Sequence, residues 1–244
     1  MTYLRSFTAA GESASTTVVV FPQAGAGCLR LRSIAPALPS GLNLSGVQLP
    51  GREDRLLDSP ANNLSEVVDC ISAELRDPTH RRPLVFLGVS LGALVAYEVA
   101  RKLEPEGAAP RSLVVAAARS PEHWGTFPSA NPPLAELTAL LHPSVRESEF
   151  ARYAVAALRS DLRLMADYQV PSTALTSTSL RSVSGRRDRV VSTAQMAGWR
   201  DRSTDYHGHQ VIDADHHEFM DRDVLTGIFS DVAFETAPRR VVCG

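Results

Sequence analysis

Residues 83–100 read Pro-Leu-Val-Phe-Leu-Gly-Val-Ser-Leu-Gly-Ala-Leu-Val-Ala-Tyr-Glu-Val-Ala. An apolar run typical of a buried strand passes through Gly-x-Ser-x-Gly directly into a helical pattern. A strand, a sharp turn and a helix in this order present the central serine, Ser90, at the end of a sheet. Gly88 and Gly92 flank the turn, where a Cβ would obstruct packing of the helix against the strand. The stretch therefore predicts a reactive serine on a strained turn.

The composition is that of a globular α/β protein. The chain has 244 residues, of which 44% are hydrophobic and 21% are charged. A net charge of −2 gives no electrostatic reason to expect nucleic acid or an anionic membrane as partner. No apolar run is long enough to span a membrane, and no signal-peptide pattern is present. Cysteines 28, 70 and 243 match no zinc or redox spacing, so we expect free thiols in a cytoplasmic protein: Cys28, Cys70 and Cys243. We also expect the protein to be a monomer.

Strand-like and helical patterns alternate along most of the chain. Strands are predicted at residues 16–21, 42–49, 84–89, 113–118, 180–185 and 209–212, and helices at 64–75, 90–103 and 221–234. Asn63 or Ser65 is the expected cap of the helix at 64–75. This alternation predicts one domain over residues 1–244, with a mostly parallel central sheet and helices on both faces.

The alternation stops between residues 121 and 168. Two helical stretches, 134–141 and 150–168, follow each other there with no strand-like run between them. Inserted between two strands of the sheet, such a segment would lie over the strand ends as a helical lid. An ordinary long crossover is the alternative.

The loop after the first strand is rich in small residues. Residues 22–27 read Pro-Gln-Ala-Gly-Ala-Gly and precede a helical pattern. In hydrolases with a serine on a strand–turn–helix junction, the N–H after the serine and an N–H of such a loop stabilise the oxyanion. The N–H of Leu91 is therefore the first predicted donor. A plain tight turn is the alternative interpretation of the loop.

A serine on such a turn needs a base, and the base needs an acid that orients it. The chain order in these hydrolases is serine, acid, histidine. Asp188 directly follows the strand at 180–185, and His216 follows the last strand, at the same predicted edge of the sheet as Ser90. We therefore predict Ser90 as the nucleophile, His216 as the general base and Asp188 as the acid. The neighbouring His217 is the competing base.

The other ionisable residues have plainer interpretations. We expect five histidines at the surface or in loops: His80, His123, His142, His207 and His209. We expect the charged segment at 50–55 and four aspartates to be solvated: Asp161, Asp205, Asp213 and Asp215. Residues 213–218 contain side chains of metal-ligand type, but one contiguous turn cannot close a coordination sphere, so we predict no metal site.

Several blocks of the chain follow the pattern of a known family. Residues 21–26 are similar to a Phe-Pro-x-Ala-Gly-Gly loop, and residues 48–55 match a Gln-Leu-Pro-Gly-Arg-Glu-x-Arg block. The serine motif at 88–93, the block Leu-Arg-Ser-Asp-Leu at 158–162 and the acid and base motifs also fit. Over residues 20–220 the chain thus resembles the type II thioesterases that accompany modular polyketide and nonribosomal peptide synthases.

This resemblance implies an α/β-hydrolase fold and an editing thioesterase. The expected reaction is hydrolysis of acyl groups from the phosphopantetheine arm of a carrier protein, which is then the partner, with no separate cofactor. Ser90 would attack the thioester with His216 as base. By analogy with the family, the N–H of Gln23 would join that of Leu91 in the oxyanion hole.

Two departures from the family pattern keep other functions open. Val89 stands where the family usually has histidine, and residues 214–219 replace a Gly-Gly-His-Phe-Phe ending with Ala-Asp-His-His-Glu-Phe. A stand-alone carboxylesterase, or an acyltransferase or cyclase, would use the same three residues. A non-catalytic module that binds carrier proteins is the alternative from another class.

Overall fold

The structure is a computed structural model that describes residues 2–8, 15–77, 83–124 and 132–236. Its strands are β1 (Leu4–Ser6), β2 (Thr16–Phe21), β3 (Leu42–Val47), β4 (Leu84–Val89), β5 (Ser112–Ala116), β6 (Ser179–Gly185) and β7 (Tyr206–Ile212). They form one sheet in the order β1-β3-β2-β4-β5-β6-β7, in which β1 is antiparallel to β3 and the other pairs are parallel. The predicted mostly parallel sheet is confirmed. Strand β1 is too short for periodicity to reveal it.

Helices cover both faces of this sheet. They are α1 (Leu31–Ile34), α2 (Leu64–Leu75), α3 (Leu91–Leu103), α4 (Leu134–Ala139), α5 (Pro143–Arg146), α6 (Ala151–Arg163), α7 (Thr193–Met196) and α8 (Arg222–Thr236). Val19 and Phe21 of β2 belong to the same buried cluster as α2 and α3, whereas Val18 and Val20 belong to the cluster that contains α1 and α8. Because side chains alternate along a strand, β2 supplies both cores.

Local signals place α2 where the sequence predicts it. Asn63 is the cap, since its side chain accepts the N–H of Glu66 at 2.9 Å.

Cys28 and Cys70 are free thiols, whereas Cys243, His80 and the carboxyl-terminal residues 237–244 lie outside the described residues. Within the described ranges, no helix is both long and apolar enough to cross a membrane.

The segment between β5 and β6 contains α4, α5 and α6, of which α5 was not predicted from the pattern. Five apolar side chains from these helices and their connections form a small separate core: Leu137, Leu141, Val155, Leu158 and Leu162. Ala24, from the loop after β2, packs against this core. Residues 125–131 of the segment lie outside the described ranges. The three helices therefore pack on one another and on that loop.

Candidate active site

Ser90 occupies a strained turn between β4 and α3. Its backbone has φ 54° and ψ −121°, a region that L-residues with a side chain rarely adopt. A Cβ at Gly88 would collide with the backbone of Ala93, and one at Gly92 would collide with the carbonyl oxygens at the end of β2. The two glycines therefore allow α3 to start immediately beside the sheet, as predicted, with Ser90 at the sheet's edge.

Asp188 and His216 are hydrogen-bonded to each other. His216 Nδ1 lies 2.9 Å from Asp188 Oδ2, and Asp188 Oδ1 accepts the N–H groups of Val190 and Val191 at 2.7 and 2.9 Å. The Asp188 side chain has no exposed surface, and His216 is 8% exposed. Burial raises the pKa of Asp188, but the hydrogen bond and charge of His216 and the two N–H bonds outweigh it, so the pKa is lowered. An ionised Asp188 keeps the proton on Nδ1 and leaves Nε2 free to accept another.

Ser90 and His216 line the same cavity, which has a volume of about 290 Å³. The loop after β2 contributes Gln23 to its wall, and the segment between β5 and β6, which is the predicted lid, contributes several apolar side chains, among them Leu141 and Leu158. Among the described residues no hydrogen bond joins Ser90 Oγ to His216. In hydrolases, such bonds are often long without substrate and tighten when it binds.

The two residues predicted to donate backbone N–H groups to the oxyanion are Leu91 and Gln23. Leu91 is the first residue of α3, where an N–H group has no intrahelical acceptor. Gln23 lies in the loop that approaches the start of α3 through Gly92, and its N–H has no acceptor in the described part of the chain. Both residues line the cavity beside Ser90. The arrangement can stabilise negative charge next to an attacking serine.

Similarity to known proteins identifies the family of this chain. A sequence model of the family described as "Thioesterase domain" matches residues 16–234, most of the chain. The chain belongs to the thioesterase domain family. It is 28% identical over 200 residues to a probable cadicidin biosynthesis thioesterase of Streptomyces griseus, a match that covers 79% of this chain and 55% of that protein. This thioesterase domain thus spans about half the length of that relative.

Solved structures of thioesterases share the fold. The RedJ thioesterase from the prodiginine pathway of Streptomyces coelicolor has a TM-score of 0.80 at 23% identity, over 91% of each chain. The type II thioesterase BorB from the borrelidin cluster has a TM-score of 0.78 at 24% identity, over 94% of this chain and 96% of that one. These likenesses confirm the α/β-hydrolase fold, and the family match confirms the resemblance to thioesterases.

Two further histidines, His217 and His142, lie beside His216 in this thioesterase domain. The ring of His217 makes edge-to-face contacts with His216, at 5.8 Å, and with His142, at 5.5 Å. His142 was expected at the surface or in a loop; it lies in the loop before α5, but it is half-buried and lines the cavity. Burial, followed by the neighbouring His216 and His142, lowers the pKa of His217, and Asp215 and Asp188 oppose the shift only in part. His217 has no carboxylate acceptor among the described hydrogen bonds, unlike His216.

The depressed pKa of His217 makes stability depend on pH. Because the folded pKa lies below the unfolded value of about 6.5, neutral His217 stabilises the fold above that pH, and the contribution is lost as pH falls. We expect His217→Phe to lose less unfolding free energy than wild type between about pH 7.5 and about pH 5.5. Urea denaturation at both pH values measures this. An equal loss of unfolding free energy in His217→Phe and wild type over this range would contradict the prediction.

Two predictions of solvated charges are wrong. Arg52 and Asp161 are 5% and 2% exposed and form a two-bonded ion pair with each other. Arg55 is also buried, where it pairs with Asp58 at 2.7 Å. Neither arrangement has a signal in the sequence, because a buried and a solvated arginine look alike until the partner is known. The family block at 48–55 is the one available clue, and it carries no structural explanation by itself.

Of the other aspartates expected to be solvated, two are exposed and Asp215 is half-buried. Asp205 and Asp213 are exposed and pair with His207 and Arg187. Asp215 accepts two backbone N–H groups within its own turn. His209 is on the surface of β7, where both ring nitrogens lie 2.8 Å from serine hydroxyls of β6. Within the described residues, no cluster of three or more histidine, cysteine or acidic side chains is arranged to hold a metal ion.

Proposed function

We propose that this protein is an editing type II thioesterase, which hydrolyses acyl groups from the phosphopantetheine arm of carrier proteins in polyketide or nonribosomal peptide biosynthesis. The observation that carries the proposal is His216, which is bonded to the buried Asp188 and lines the same cavity as the serine on the strained turn. Family membership adds the thioester chemistry, and the named relatives add the biosynthetic context.

In the first half of the proposed reaction, the acyl group passes to Ser90. His216 Nε2 takes the hydroxyl proton while Ser90 Oγ attacks the thioester carbonyl. The N–H groups of Gln23 and Leu91 stabilise the oxyanion, and Asp188 stabilises the imidazolium. When the tetrahedral intermediate collapses, the carbon–sulfur bond breaks and His216 returns the proton to the departing thiolate.

Water completes the reaction in the second half. His216 takes a proton from a water molecule, which attacks the acyl-enzyme through a second tetrahedral intermediate in the same oxyanion hole. Collapse releases the carboxylic acid and returns the proton to Ser90. The apolar lid side chains that line the cavity would receive the acyl chain, and the limited volume would make the rate depend on its length.

A neighbouring groove supports a phosphorylated arm as part of the substrate. Arg186 and Arg189 are exposed, line this groove beside His216 and His217, and have no ion-pair partner among the described residues. Arginine binds phosphate oxygens through paired N–H donors. A carrier-protein arm threaded past these side chains would carry its phosphodiester close to two positive charges.

The test is turnover of matched acyl donors. We expect the protein to hydrolyse an acyl carrier protein faster than the thioester of unphosphorylated pantetheine with the same acyl group, with acyl coenzyme A between them. Acetyl, medium-length and branched acyl groups would measure the effect of the cavity volume. Turnover of a simple aryl ester alone would instead support a carboxylesterase.

Two further outcomes separate the other candidates. Acyl transfer to an added amine or alcohol in preference to water would support an acyltransferase or cyclase. Binding of the acyl carrier protein without any turnover, measured by calorimetry, would support a non-catalytic module and would contradict the proposal.

A further inference from the structure

A buried ion pair joins the lid to the loop after β3. Arg52 Nη1 and Nη2 donate to the two carboxylate oxygens of Asp161 at 2.6 and 2.5 Å. Arg52 lies in the loop after β3, whereas Asp161 lies near the end of α6, 109 residues later. The bidentate geometry fixes both the distance and the mutual orientation of these two elements.

The same two side chains hold the backbone of the oxyanion loop, residues 22–29. Asp161 Oδ2 accepts the N–H of Gly25 at 2.8 Å, and Arg52 Nη1 also donates to the carbonyl of Ala26 at 3.2 Å. Gly25 has φ +77°, and a Cβ there would press against Leu158 of α6. The loop therefore packs directly against α6 at Gly25, which is two residues after Gln23.

The segment that contains Arg52 holds the loop at two more points. Gln48 Oε1 accepts the N–H of Cys28 at 2.8 Å, and Gln48 Nε2 donates to the carbonyl of Arg52 at 3.3 Å. Glu53 accepts the N–H of Leu29 at 2.9 Å, and its carboxylate lies where a Cβ of Gly27 would be. Gln48, Arg52 and Glu53, three residues of the family block, thus all bind the backbone of this one loop.

Stability alone is a poor reason for such a pair. Removing two charges from water costs several kcal/mol for each ion, and apolar residues of similar volume often stabilise a protein as well or better. What an apolar pair would lack is an acceptor for the Gly25 N–H and a donor for the Ala26 carbonyl. The charged pair therefore fixes the position of the loop backbone through hydrogen bonds, which a hydrophobic contact could not do.

We infer that Arg52 and Asp161 are positioning residues, which set the Gln23 N–H in the oxyanion hole and make that hole depend on the docking of α6. The catalytic part of this inference rests on the proposed function. Because the loop bonds to α6 through Asp161, displacement of the lid helix would release the loop and disassemble the hole. Access to the cavity and transition-state stabilisation are then coupled through a single carboxylate.

The test compares Asp161→Asn and the double variant Arg52→Met/Asp161→Leu with wild type. We expect kcat for an acyl thioester to fall about 10²–10³-fold, the usual cost of losing an oxyanion donor, with little change in KM. The double variant removes both buried charges and should fold with near wild-type thermal stability while kcat stays low. Hydrogen–deuterium exchange of peptides covering residues 22–29 should become faster in both variants.

The matched control is Glu98→Gln. Glu98 is mostly buried, pairs with Arg101 and accepts the hydroxyl of Tyr168, which follows α6, but it does not contact the oxyanion loop. This variant removes a charge from an attachment of the lid segment that does not involve the loop, so kcat and exchange at 22–29 should remain at wild-type values. An equal loss of kcat in Glu98→Gln would show a general effect of lid attachment and would overturn the inference.

The remaining outcomes separate the inference from the proposed function. Unchanged exchange and unchanged kcat in Asp161→Asn would overturn the inference while hydrolysis by wild type still supported the thioesterase. Faster exchange with unchanged kcat would overturn the catalytic role of the pair. If wild type hydrolysed no thioester, the proposed function would fail, and faster exchange in the variants would still support the positional role.

Discussion

Ser90→Ala is expected to lower kcat for acyl thioesters about 10⁵–10⁶-fold, the loss found when a triad nucleophile is removed. The substitution deletes only Oγ and keeps the Cβ, so the strained backbone at φ 54° and the packing of Gly88 and Gly92 are unchanged. Stability and carrier binding should therefore remain close to wild type. Single-turnover assays with an acyl carrier protein measure the loss, and mass spectrometry should detect an acyl group on Ser90 only in the wild-type protein.

The cavity itself contains the matched control. Ser144 also lines it, and its hydroxyl lies 2.7 Å from Nδ1 of His142, so a second serine–histidine pair faces the same space. Ser144 lies within α5 and lacks the positive φ of Ser90, and we expect Ser144→Ala to retain near wild-type kcat. Loss of activity in Ser144→Ala with retention in Ser90→Ala would show that the nucleophile is on the lid.

His216→Gln should lower kcat about 10⁶-fold, since removing a triad histidine costs about as much as removing the nucleophile. His216 alone of the two neighbouring histidines is oriented by a buried carboxylate, Asp188, at 2.9 Å. His217→Gln makes the same chemical change one residue later, at a ring that makes edge-to-face contacts with His216 and His142 and lines the cavity. We expect His217→Gln to retain kcat within about tenfold of wild type.

Steady-state rates of both variants with an acyl carrier protein measure the two losses of kcat. Equal losses in the two variants, or a larger loss in His217→Gln, would contradict the assignment of His216 as the base.

Local patterns carried the prediction of the sheet and of the strained turn. The strand at 84–89, the glycines around Ser90 and the cap at Asn63 each depend on residues close to one another in the chain. The order of Ser90, Asp188 and His216 after successive strands was likewise readable, because carboxyl ends of parallel strands meet at one edge of a sheet. These features were predicted because their physical causes act over a few residues or follow from topology.

The charges of the 48–55 block were predicted wrongly because their burial depends on residues far away in the sequence. Arg52 in a polar loop and Asp161 on a helix are both expected to be solvated when considered alone. The sequence around each residue gives no indication that the other is its partner. The half-buried position of His142 in the lid also follows from how α4–α6 pack, which periodicity does not specify. Partners far apart in sequence become neighbours only once the lid is folded onto the loop.

By itself, the sequence determined the parallel sheet, the strained turn at Ser90 and the order of the candidate acid and base. Only the tertiary structure decided that Arg52 and Asp161 are buried together and that the oxyanion loop is bonded to the lid. Backbone conformation and hydrophobic period are local properties of a chain, whereas burial of a charge depends on a partner that arrives from elsewhere in the fold.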